Sequence, residues 1–144
     1  MHPFPHRYRA EAASEPQGQV TITGTGLPPI ASDAPTEFGG PGDRWSPETL
    51  LVAAAVDCLI LTFRAIAQAS KLPWERLTCS GEGLLDRVEG ATRFTGLALH
   101  ARLTLPSGGD ADKATRLLEK SERACLITRS LALQPTLRCE VEVR

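Results

Sequence analysis

The longest feature in the hydrophobic pattern begins at Leu50. From there to Phe63 only Asp57, Cys58 and Thr62 interrupt an apolar run. A helix apolar on nearly every side is a buried one rather than a surface one. Its start is marked several times over: Ser46 is a good N-cap, Pro47 falls at the first helical position, and Glu48 suits the positive end of the helix dipole. Trp45 and Leu50 have the spacing of a hydrophobic staple across that cap. The pattern predicts a central helix over 46–71, ended by Leu72-Pro73.

Around it the periodicity changes. Residues 6–13 and 19–25 read as two short strands joined by the turn Glu15-Pro16-Gln17-Gly18, and Pro28-Pro29-Ile30 opens a third, so the N-terminal strands cover 6–31. Residues 32–45, rich in Gly, Pro and Asp, form a loop whose glycines allow close backbone approach. Beyond the helix, 76–88 reads as a strand despite Gly81 and Gly83. Its antiparallel partner covers 93–105, with Thr95, Leu97, Leu99, Ala101, Leu103 and Leu105 on one face, and Val88-Glu89-Gly90 makes the turn. Asp110 caps a helix through about Arg123, a further helical piece spans Cys125 to Leu131, and Leu137, Cys139, Val141 and Val143 alternate with charges in a last strand.

Helices interleaved with an antiparallel sheet make an α+β fold, a single domain over residues 1–144 with its C-terminal αβ part at 76–144. The N-terminal hairpin is too short to stand alone, and the apolar helix needs cover on every side. A homodimer wrapping two such helices together meets both needs.

Composition narrows the function. A net charge of −1 over 144 residues gives no electrostatic basis for nucleic-acid binding. The apolar run falls short of the roughly 18 residues that span a bilayer. The opening MHPFPH has neither the basic nor the apolar region of a signal peptide, so a soluble, cytoplasmic protein with no membrane partner is expected. Four cysteines (Cys58, Cys79, Cys125, Cys139) then sit in a reducing compartment, where redox chemistry or metal binding is more usual than structural disulfides. No CxxC pair exists, and His2, His6 and His100 have no ligand spacing to the cysteines, so no metal site is expected.

The stretch GGPGDRWSPETLLVAAAVDCLILT resembles the signature of the osmotically inducible protein C and organic hydroperoxide resistance (OsmC/Ohr) family. There a Gly-rich loop leads to a Pro-Glu helix start, with a reactive cysteine ten residues past the glutamate. Glu48 and Cys58 keep that spacing, and Cys125-Leu-Ile-Thr128 is similar to the second family motif. The resemblance implies an OsmC-like fold, an intertwined homodimer with sites at the interface, and a thiol peroxidase acting on organic hydroperoxides. Cys58 would attack the peroxide, Cys125 would resolve it as a disulfide, and a small dithiol or lipoylated protein would reduce it, with no metal, haem or other cofactor. One departure stands out: the arginine that the family carries at the N-terminal hairpin is missing from the turn Ser14 to Gln19, leaving Arg7, Arg9 and Arg44 as substitutes.

The chemistry fits these residue types. Only a thiolate attacks an O–O bond at useful rates, and a second thiol that condenses with the sulfenic acid prevents over-oxidation. Ala54, Ala55, Leu61 and Thr62 are the helical neighbours of Cys58, an apolar setting that without a cation raises its pKa. Thr62 and Thr128 are candidate hydrogen-bond partners of the two thiols, and Arg44 a candidate cation. Cys125, expected near a helix start and two residues after Arg123, has local reasons to be acidic. Glu48 lies about 15 Å along a straight helix from Cys58, so in a continuous helix it would serve the other subunit. Cys79 and Cys139 face inward on strands and read as core, and the plain reading of Glu48 is a dipole-complementing residue. Two alternatives share the fold: a redox sensor or small-ligand-binding protein without turnover, and a structural dimer whose thiols ignore peroxide.

Overall fold

Three short strands, β1 (Glu11–Ala13), β2 (Val20–Thr23) and β3 (Ile30–Ser32), pair antiparallel in that order. They are shorter than the pattern suggested. Glu11 already pairs with Thr23, where β2 ends in the Gly24–Leu27 turn, so residues 6–10 have no strand to pair with. The loop that follows holds one 3₁₀ turn, Thr36–Phe38, and closes on itself. A Cβ at Gly40 would overlap the Ala34 carbonyl, so the close approach expected of this loop is to its own backbone. A bridge between Ser32 and Trp45, with the Asp33 N–H donating to the Trp45 carbonyl at 2.9 Å, ties the loop end to β3.

The computed structural model describes all 144 residues, which divide into two compact units, Met1–Leu50 and Leu51–Arg144. Helix α1 (Pro47–Ala69) starts in a reciprocal cap. The Thr49 N–H donates to Ser46 Oγ at 3.2 Å and the Ser46 N–H to Thr49 Oγ1 at 2.9 Å, a capping box with threonine in the usual Glu position. At the other end Lys71 takes a left-handed conformation (φ 52°). The Leu72 N–H reaches the Ala67 carbonyl at 2.9 Å and the Lys71 N–H reaches that of Gln68 at 3.1 Å. This is a Schellman stop with lysine where glycine is usual. Lys113 Nζ adds a bond to the Ser70 carbonyl at 2.8 Å. Replacing Lys71 by glycine removes the Cβ strain and should stabilise the protein by about 0.5–1 kcal/mol, read as a higher denaturant midpoint at unchanged slope.

Only one stripe of α1 is buried: Ala55, Leu59, Phe63 and Ala67, four residues apart. Leu61 is 50 % exposed and Ala54 is exposed, so within one chain the helix is not covered on every side as its composition led us to expect. By length and composition α1 would also suffice to cross a membrane, contrary to the count that stopped at Arg64. Ala65, Ile66 and Ala67 carry the apolar character past that single charge.

Strands β4 (Arg76–Val88) and β5 (Ala91–Leu105) form a long antiparallel hairpin. Glu89 and Gly90 both have positive φ in its two-residue turn, as the twist of the strands demands. Gly81 and Gly83 interrupt β4 for a packing reason. A Cβ at either would come within about 3 Å of the Val52 methyls, so their absence lets α1 lie close on the sheet. Helix α2 (Ala111–Ala124), capped by Asp110 accepting from the Lys113 N–H at 2.9 Å, is the crossover to β6 (Thr136–Val143). That connection makes β6 parallel to β5, so the second sheet is mixed rather than antiparallel throughout. Leu97, Leu99, Ala101, Leu103 and Leu105 face α1 and α2 as the alternation required, and Phe63 meets Trp74 edge-on at 5.5 Å.

Candidate functional site

Cys58 sits midway along α1, partly exposed, and its sulfur lies 3.8 Å from the Thr62 hydroxyl one turn on. Mid-helix backbone N–H groups are committed to the helix, so its own element offers this sulfur nothing beyond the threonine. Cys125 is placed differently from the sequence reading. It does not open a helix; it ends α2 with an extended backbone (φ −62°, ψ 113°) and precedes a single 3₁₀ turn, Thr128–Ser130. Its side chain is fully buried.

The fold brings these two thiols close enough for their titrations to influence one another. Burial pushes the Cys58 thiol up, and the bond to Cys125 pushes it further; the Ile127 N–H and Thr62 hydroxyl offset only part of this. Burial acts on Cys125 in the same direction, but bonds from the Cys58 thiol, the Thr128 N–H and hydroxyl, and the Ile127 N–H outweigh it and hold Cys125 below the usual thiol range. Thr128 is itself buried, its Oγ1 3.3 Å from the Cys125 carbonyl. The downward direction for Cys125 is led by the neighbouring Cys58 thiol and then by Thr128 and Ile127, with no part from a helix start or Arg123.

Cys79 and Cys139 pack against the core, as expected. Each pairs in register with Ala101 from opposite sides, which puts two strand spacings, roughly 10 Å, between them, beyond the reach of a disulfide. Burial and the neighbouring thiols raise Cys79 to about 11, and burial followed by Glu119 raises Cys139.

In the N-terminal unit, Glu48 carries a buried carboxylate oxygen, Oε2, with no hydrogen-bond partner. Arg44 donates from Nε to Gln19 Oε1 at 3.1 Å and pairs with Asp43 at 2.8 Å. Gln19 closes the hairpin turn that lacks an arginine, so the loop returns a guanidinium to that turn from another part of the chain. Arg7 and Arg9 are exposed in the leading segment.

One cluster escaped the sequence reading. His100, Arg102, Arg138 and Glu140 meet on the far face of the β4–β6 sheet, with His100 Nε2 3.1 Å and Arg138 2.8 Å from the same carboxylate oxygen. Partial burial raises Glu140, but His100, Arg102 and Arg138 together hold it below the usual carboxylate range. The period-two alternation contained the signal, since these residues fall between the inward-facing ones. An open groove of about 580 Å³ beside them is lined by Ser80, Glu82, His100 and Arg138 among others, away from the cysteine pair.

A partly exposed thiol on a central helix, coupled to a buried thiol at a helix end over a mixed sheet, defines a dithiol protein of α+β class. The chain belongs to the OsmC-like protein family, which it matches over residues 40–140. Among curated proteins it is 29 % identical over 113 residues to an uncharacterized protein, YmaD, of Bacillus subtilis (strain 168), covering 76 % of this chain and 75 % of that one. Its fold matches an OsmC-like protein of unknown function from Vibrio cholerae with TM-score 0.85 and 18 % identity, over 94 % of this chain and all of the other. It also matches an organic hydroperoxide resistance protein, OsmC, from Legionella pneumophila with TM-score 0.76 and 25 % identity, over 98 % of this chain and all of that one.

Proposed function

We propose that the protein is a thiol peroxidase that reduces organic hydroperoxides through Cys58 and Cys125. The observation that carries this reading is the pair itself: two free cysteines near enough to influence each other's titration, one open to a substrate and the other fully buried. Cys58 attacks the peroxide because it is the thiol a substrate reaches. Cys125 resolves the sulfenic acid because it is the thiol coupled to the sulfur that carries it. Thr62 and Thr128 hold the two sulfurs. The cycle needs no metal or cofactor, and a small dithiol or lipoylated protein in the cytoplasm closes it.

The working form in this proposal is a homodimer. The uncovered apolar side of α1 supports it, with Leu61, three residues after Cys58, 50 % exposed and Leu126, beside Cys125, 68 % exposed. Helix α1 is unbroken from Pro47 to Ala69, so about 15 Å of helix separates Glu48 from Cys58. Glu48 then serves the partner's Cys58, with Arg44 as the cation that replaces the hairpin arginine.

A redox sensor that oxidises once and turns over slowly is the second reading, favoured by the upward shift of Cys58. Non-reducing mass analysis after one equivalent of cumene hydroperoxide, with hydrogen peroxide in parallel, tests both. The peroxidase reading expects loss of two hydrogens, mapped to a Cys58–Cys125 peptide and reversed rapidly by dihydrolipoamide. Oxidation without rapid reversal leaves the sensor. Four surviving free thiols overturn both.

A further inference from the structure

The face of the β4–β6 sheet that looks away from α1 and α2 carries two ordered rows of side chains. Ser80 stands opposite His100 and His100 beside Arg138; one step along, Glu82 stands opposite Ala98 and Ala98 beside Thr136. Alternation puts both rows on the same face. All six residues line the open groove of about 580 Å³. Ala98, on the central strand, brings only a methyl group, which leaves a hollow between its longer neighbours.

The two flanks of this hollow differ in charge. On the β6 side Arg138 and Arg102 share the one carboxylate of Glu140, at 2.8 and 3.2 Å, with His100 Nε2 also 3.1 Å from it. Two guanidiniums against a single carboxylate leave one positive charge unbalanced. The Arg138 side chain is mostly exposed, so it keeps N–H groups for a further acceptor. On the β4 side Glu82 takes part in none of the ion pairs of the chain. Opposite charges on facing positions are the usual way to stabilise such a surface, and Glu82 faces Ala98 instead.

We propose that this groove binds a small zwitterion, an α-amino acid or a short peptide, with its carboxylate on Arg138 and His100 and its ammonium group on Glu82. A simple anion would leave Glu82 facing it unpaired, and a simple amine would meet the unbalanced guanidinium. A ligand with both charges satisfies both flanks, and a planar guanidinium is well matched to a carboxylate. Two strand spacings and one two-residue step separate Glu82 from Arg138, on the order of 12 Å between their Cα atoms. The reach of the two side chains takes up much of that. What remains suits charges one or two residues apart, at about 3.5 Å per residue. The Ser80 and Thr136 hydroxyls lie on opposite flanks and can bond the ligand's backbone groups. The site is on the other face of the sheet from the cysteine pair, so it does not depend on the peroxidase reading.

Titration of the native protein with L-alanyl-L-alanine, followed by ¹H–¹⁵N NMR and calorimetry, tests this. Saturable shifts should centre on the backbone amides of Ala98, His100 and Arg138. The N-acetylated and C-amidated forms of the same dipeptide should each bind at least about tenfold more weakly, the worth of one charge-assisted hydrogen bond. Glu82→Gln should weaken the free dipeptide by a similar factor and leave the N-acetylated form unaffected. Arg138→Gln should weaken the free dipeptide and leave the C-amidated form unaffected. Both residues are exposed, so circular dichroism of the two variants should remain native. Undiminished binding of the N-acetylated form reduces the groove to an anion site, and undiminished binding of the amidated form reduces it to a cation site. Either result overturns the proposal, as do shifts centred elsewhere or no saturable shift at millimolar dipeptide.

Discussion

Cys58→Ser abolishes peroxide turnover in the reading developed above, with kcat/KM for an organic hydroperoxide falling by at least on the order of 10³-fold. A serine hydroxyl at this site is a poor nucleophile, and no other thiol can stand in for it. Cys125 is fully buried, and burial with the neighbouring thiols pushes Cys79 up to about 11. The substitution removes no core packing, because Cys58 is partly exposed and serine is slightly smaller, so the thermal midpoint should stay close to the native one. Coupled peroxidase kinetics on a folded variant check this. Retained turnover in Cys58→Ser would mean that Cys125 is the attacking sulfur after all, and that the site opens far more than one chain suggests.

In the proposed homodimer, Leu61→Asp should separate the subunits. Leu61 is half exposed in a single chain and lies on the side of α1 that no element of its own unit covers. If a second copy covers it, an uncompensated carboxylate there costs on the order of 3–5 kcal/mol, which weakens association by at least 10²- to 10³-fold. Sedimentation at micromolar concentration should then change from dimer to monomer while the circular dichroism of the chain is kept. The chemistry should divide at the same point. Cys58 and Cys125 belong to one chain, so the monomer still forms their disulfide with excess peroxide. Turnover falls, because Glu48 can no longer reach the partner's Cys58. A variant that remains dimeric places the interface elsewhere and removes the case for Glu48 acting across it.

Several elements were legible because their causes are local. Ser46, Pro47 and Glu48 start α1 through bonds to the first turn, and the capping box formed there with Thr49 is such a bond. Asp110 starts α2 for the same reason. Alternation along 97–105 put five residues in the core, since side chains of a strand change face at every step. Strand ends were less legible, because a strand ends where its partner does. Residues 6–10 have the composition of a strand and nothing to pair with, so β1 begins at Glu11. The parallel placement of β6 was equally hidden, since alternation reports which face is buried and says nothing of the direction of the neighbouring strand.

The candidate site divides in the same way. The sequence alone determined that a thiol lies midway along an apolar helix ten residues from a glutamate, and that a second thiol stands three residues before a threonine. Spacing along one chain carries that much, and the resemblance to the family was read from the same residues. Only the tertiary structure decided that Cys125 ends a helix instead of beginning one and that it is the sealed member of the pair. It also decided that Arg44 returns to the turn the family arginine would have occupied, through Gln19 twenty-five positions away. A thiol's proton affinity depends on which donors surround it and how much water reaches it. Both are set by segments that meet only once the chain has folded.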